Sequence, residues 1–136
     1  MHTERKLAVA VRADLADWQK LNVTAFVVSG IGSAHPDLVG EDYEDGSGAR
    51  YLPMFVHPVL VYAGDGPGLT RAFRRATSRG LEVAVYTDDL FATGNDVDNR
   101  AAVAKVATDD LVLAGLAVVG SSKEVDKVFD KLRFHP

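Results

Sequence analysis

"KLAVAVRADLADWQKLNVTAFVVSG", residues 6–30, is the stretch whose reading decides the fold class. Lys6 to Arg12 is an apolar run with little alternation, bounded by polar residues, which is the pattern of a strand covered on both faces. A helix follows. Trp18, Leu21, Ala25 and Val28 recur at helical spacing, and Phe26 and Val27 widen the apolar face, so the helix is expected to be mostly buried. Asp14 and Asp17 stand where they would cap its start, and Gly30 and Gly32 where glycine would end it. A strand buried on both sides and an apolar helix after it predict a sheet with helices packed on its faces.

The rest of the chain repeats this alternation. Ser33 to Arg50 shows no sustained periodicity and is punctuated by Pro36, Gly40, Gly46 and Gly48 among five acidic residues, so it reads as a long loop with room for one short strand. Tyr51 to Ala63 reads as extended chain interrupted by prolines, with Val59 to Tyr62 as a central strand. Gly66 to Ser78 reads as a helix burying Leu69, Ala72, Phe73 and Ala76, with Arg71, Arg74, Arg75 and Arg79 turned outward and Gly80 as its stop. Leu81 to Tyr86 is a further strand. The irregular "FATGNDVDN" leads to a short helix from about Arg100 to Lys105, Leu111 to Val119 is a strand, and Ser121 caps a last helix. Together these elements predict one α/β domain over residues 1–136, a three-layer sandwich with a mixed, largely parallel sheet of about four main strands.

Composition narrows the chemistry. With 136 residues, 47% of them hydrophobic and 25% charged, the chain has the balance of a single folded domain. The absence of cysteine excludes disulfides, thiolate metal sites and a cysteine nucleophile. A formal net charge of −4 argues against a general nucleic-acid binder. The apolar run Leu7 to Val11 is too short for a signal peptide or a membrane span, so a cytoplasmic protein is expected. The four histidines are scattered, and the acidic "GEDYEDGSG" lacks the ligand spacing of a calcium loop, so neither a metal nor a cofactor is expected.

Three phrases carry a family resemblance. "RADL" at Arg12 to Leu15, "LTRAFRRATSRGLEVAVYTDD" at Leu69 to Asp89 and "LVLAGLAVVGSSKEVDKVFDKLRF" at Leu111 to Phe134 resemble the type II peptidyl-tRNA hydrolases in order and wording. That resemblance implies their fold and, by position, assigns their catalytic carboxylate to Asp88, a lysine to Lys20 and, more loosely, a threonine to Thr93. The glycines, second lysine, Gln, Ser and His of that family's loop are replaced here by "WQKLNVTAFVVSG", and "TGNDVDNRAAVAKVA" is inserted after the Asp. "QKLNVTAF" followed by "EDGSGARYLPM" resembles more closely an uncharacterised bacterial branch of the same fold, a domain of unknown function.

In open α/β sheets, ligands sit beyond the carboxyl ends of parallel strands. Two such ends are marked, by Arg12 with Asp14 and by Thr87 with Asp88, and the polar positions Asn22 and Thr24 follow the first. One reading is a small polar cleft for an anionic ligand, lined by Arg12, Asp14, Asn22, Thr24, Thr87 and Thr93. A hydrolase variant of it cleaves an ester or amide with Asp88 as base and Lys20 holding an anionic group. In the other reading these side chains only cap helix ends and satisfy nearby backbone groups. The first helix could instead be a dimer contact: the resemblance implies pairing, as in the type II peptidyl-tRNA hydrolases, and the helix is apolar over more than one face, so a homodimer is expected.

Overall fold

The computed structural model describes residues 4–136. Its sheet is built from β1 (Arg5–Arg12), β4 (Val59–Gly64), β5 (Val83–Thr87), β6 (Leu113–Ser121) and the short β7 (Arg133–Phe134), in the order β5-β6-β1-β4-β7. A separate two-residue hairpin pairs β2 (Tyr43–Glu44) with β3 (Arg50–Tyr51). The helices are α1 (Asp17–Ala34), α2 (Gly66–Ser78), α3 (Asp96–Ala104) and α4 (Ser122–Val128).

Burial follows the alternation of β1. Leu7, Val9 and Val11 face Val23, Val27 and Ile31 of α1, while Ala8 and Ala10 face Leu69, Ala72 and Ala76 of α2 and Val125 and Val128 of α4. Both sides of the strand are covered, which is why its sequence is apolar at every interior position. Gly115 on β6 lets α1 approach this closely, since a Cβ there would stand 2.4 Å from Val23 Cγ1. At the far edge Tyr62 is stacked between Phe129 and Phe134, with ring centroids 4.9 and 4.7 Å away. Each such pair is worth about 0.5–1.5 kcal/mol beyond burial. This sandwich holds β7 against β4, where the His135 N–H donates to the Val61 carbonyl at 2.9 Å.

The sheet is not largely parallel. Only β1 and β4 are parallel neighbours; β1 with β6, β5 with β6, and β4 with β7 are antiparallel. One reversal accounts for all three, because the chain turns back between β5 and β6, and the strands after that turn insert beside strands running the other way. The segment responsible contains α3, which packs on the 88–92 turn and not as a crossover helix. Apolar runs report that a strand is covered and carry no sign of its direction.

Helix α1 also departs from expectation. Its buried residues are Val23, Val27 and Ile31, whereas Trp18 is 63% and Leu21 72% exposed. The helix has two apolar stripes, and the outward one contains the residues whose spacing is most regular. Gly30 and Gly32 lie inside the helix, close to Ala84 and the Phe55 ring, so they permit packing and do not end it. Neither Asp14 nor Asp17 caps its start: the cap residue is Ala16, whose N–H donates to Gln19 Oε1 at 2.9 Å. Helix α2 has the bounds read from its sequence, capped by Asp65 accepting from the Gly68 N–H at 2.8 Å.

Candidate functional site

Strands β1, β4 and β5 point the same way, so Arg12, Gly64 and Thr87 end at one edge of the sheet, beside the start of β6. Arg12 reaches across that start. Its Nη1 donates to Asp88 Oδ1 at 2.8 Å and to the Leu113 carbonyl at 3.0 Å, and its Nε donates to Asp14 Oδ1 at 2.7 Å. The hydrogen bond that Arg12 donates to Asp88, then the one it donates to Asp14, raises the guanidinium pKa above its ordinary value against the opposing effect of burial. The Arg12 side chain is 15% exposed. Two carboxylates neutralise it, and the cavity beside them, about 460 Å³, is shallow and also lined by Thr70 and Val112.

Lys20 and Thr24 do not join this cluster. One turn apart on α1, they face a groove of about 800 Å³ between that helix and the β4–β7 edge, walled by Val11, Leu21, Ala25, Val61 and Pro136, with the Asp17 carboxylate also on its lining. Lys20 Nζ stands 3.2 Å from His135 Nε2, and His135 Nδ1 stands 2.9 Å from the Pro136 oxygen. With the Nδ1 proton donated to Pro136, Nε2 is an acceptor for the ammonium, a consistent tautomer. The Thr24 hydroxyl donates to the Lys20 carbonyl at 2.8 Å. Among the described residues Lys20 makes no ion pair, in contrast to Arg5, Lys6, Arg12, Arg79 and Arg100.

Asn22 and Thr93 fall on the other flank of α1, in a pocket of about 310 Å³ closed by the 88–99 segment. Thr87 is buried between strands with its hydroxyl unpartnered. Thr87 apart, the candidate residues thus divide three ways: Arg12, Asp14 and Asp88 come together, Lys20 and Thr24 share a groove, and Asn22 and Thr93 share a pocket. No group of three His, Asp or Glu side chains suited to a metal occurs among the described residues. No helix among them is long and apolar enough to cross a membrane.

Residues 5–136 match the family model described as a protein of unknown function, DUF2000. The chain belongs to that family. A solved structure of a protein of unknown function from Agrobacterium tumefaciens is similar over 100% of both chains, with 38% identity and a TM-score of 0.95. No curated protein matches. Membership of DUF2000 agrees with the resemblance of "QKLNVTAF" and "EDGSGARYLPM" to a domain of unknown function, and neither match carries the name of the peptidyl-tRNA hydrolases.

Within this DUF2000 domain the structure adds one residue that the sequence did not single out. His135 carries no motif; it reaches Lys20 because β7 returns beside β4, a long-range pairing that no local spacing announces. Unlike Asp65 after β4, the carboxylates Asp14 and Asp88 after β1 and β5 are not helix caps. Asp88 and Asp14 are spent on Arg12, and Asp45 of the acidic loop accepts from the Ser47 and Ala49 N–H groups and the Tyr51 hydroxyl.

Proposed function

We propose that this domain is a small-ligand binding module, and that the groove between α1 and the β4–β7 edge takes an amphipathic monoanion, its carboxylate on Lys20 and its apolar body along Val11, Leu21 and Val61. The observation that carries this is a lysine that makes no ion pair among the described residues, not even with Asp17 on the same lining, in a groove whose other walls are largely apolar. A charge beside apolar walls costs desolvation unless paired, and an anionic ligand supplies the pair. Arg12 makes no comparable offer, since Asp14 and Asp88 already neutralise it.

Thermal unfolding with octanoate tests this. Octanoate is expected to raise Tm by mass action on the folded state, and Lys20→Met to weaken binding at least about tenfold, or 1.4 kcal/mol. Equal stabilisation by octylamine, or an unchanged response in Lys20→Met, contradicts the proposal. The hydrolase reading needs Asp88 and Lys20 to act on one bond, and they line separate cavities. Purified protein is accordingly expected not to release peptide from N-blocked aminoacyl-tRNA; release that disappears in Asp88→Asn would put the hydrolase in place of the binding module.

The outward stripe of α1 favours a second reading that competes with the first, a homodimer packed through the exposed Leu21 and Ala25, which would cover the mouth of the Lys20 groove. Light scattering should give twice the chain mass, and Leu21→Arg should give monomers. A monomer in the unaltered protein removes the dimer.

A further inference from the structure

The pocket on the other flank of α1 has the opposite character to the Lys20 groove. Trp18, Asn22 and Phe26 lie one turn apart each and form a single stripe facing Tyr86, Phe91 and the 93–99 segment. The four rings meet edge to face or tilted: Trp18 with Phe91 at 6.2 Å, Phe26 with Tyr86 at 5.8 Å, and Tyr86 with Phe91 at 5.0 Å between centroids. Trp18 and Phe26 remain 63% and 52% exposed, so they offer ring faces that no protein group covers.

The polar groups among these rings are neutral. Asn22 lies beside Tyr86 on the pocket's lining, and the Tyr86 hydroxyl is raised in pKa chiefly by burial, against a smaller lowering effect of the Asn22 side chain. The Thr93 hydroxyl lies against the Leu90 carbonyl and Asn99 Oδ1, which leaves the Asn99 NH2 as a donor. The pocket's one charged side chain, Asp96, is held by Arg100 at 2.9 Å. No lysine or arginine lines the site, so an anion gains nothing there.

We infer that this pocket binds a flat, uncharged heteroaromatic ring with an amide-type edge, the chemistry shared by a nucleobase and a pyridine carboxamide. Aromatic walls reward a π-face, and two asparagine amides beside a threonine hydroxyl reward an edge that presents donor and acceptor together. The volume suits one such ring and excludes a large ligand. This site is independent of the Lys20 groove, and its failure would leave that groove untouched.

Trp18 is the chain's single tryptophan and lines the pocket, so its fluorescence reports on this site alone. Uracil and nicotinamide, titrated separately to about 10 mM, distinguish the two sources of such a ring. At least one is expected to give a saturable change with a Kd of about 1 mM or tighter. Asn22→Leu, and independently Asn99→Ala, should weaken it about tenfold while the circular dichroism is preserved. No response to either probe overturns the inference, as does an undiminished response in both variants. Equal binding of cyclohexanecarboxamide, which keeps the edge and lacks the flat ring, overturns it too.

Discussion

Two cations stand near the carboxyl end of the sheet and differ in how they are used. Arg12 bridges Asp14, Asp88 and the Leu113 carbonyl, and so joins the ends of β1 and β5 to the start of β6. Lys20 meets only His135 Nε2 and faces the groove between α1 and the β4–β7 edge. A guanidinium with a fixed fork of donors suits the first task, while a compact ammonium on a flexible stem suits the second. The difference teaches that a charged residue at a strand end is a functional candidate only after its partners inside the chain have been counted.

Four substitutions break or sharpen this comparison. Arg12→Met has the largest expected effect, about 2 kcal/mol, because it strips partners from Asp88 and from a strand-end carbonyl in a half-buried setting. Urea denaturation reads it, and unchanged stability would mean that Arg12 clamps nothing. Asp88→Asn keeps one acceptor and should cost about 1 kcal/mol, whereas Asp14→Asn, at a side chain 73% exposed, should cost less than about 0.5 kcal/mol. Costs in the reverse order would move the anchor to Asp14. Lys20→Met should leave stability within about 0.5 kcal/mol, the range of surface changes away from structural contacts.

The acidic loop supplies a smaller, pH-dependent contrast. The Tyr51 hydroxyl, followed by the Ala49 and Ser47 N–H groups, holds the Asp45 carboxyl below its ordinary pKa. A carboxylate depressed in the folded state stabilises above its unfolded pKa of about 4 and loses that contribution as pH falls through the folded value. The β2–β3 hairpin should therefore loosen in acid below about pH 4, with faster amide exchange at Ser47 and Ala49. Asp45→Asn should remove most of that dependence, and an identical acid response in the variant would assign it to other groups.

Much of this architecture was legible in the residues themselves. The apolar run of β1, the bounds of α2 with Gly80 behind it, and the Ser121 cap of α4 each rest on a local rule, and each stands. Strand direction was not legible, because it turns on where the chain reverses after β5. Nor was the covered face of α1, since Trp18 and Leu21 make as good a helical stripe as Val23 and Val27. Of the site, the meeting of Arg12 with Asp88 follows from strand ends at a common edge. The separation of Lys20 from Asn22 follows from helical geometry, in which residues two apart do not share a face. His135 required the tertiary fold.

Backbone amide NMR with octanoate tests the contrast between the two cations most directly. Shifts confined to Lys20, Leu21, Thr24, Val61 and His135, with Thr70, Asp88 and Val112 unmoved, are the result predicted. Shifts at Asp88 and Val112 with Lys20 silent would contradict it and return the ligand to the Arg12 cluster.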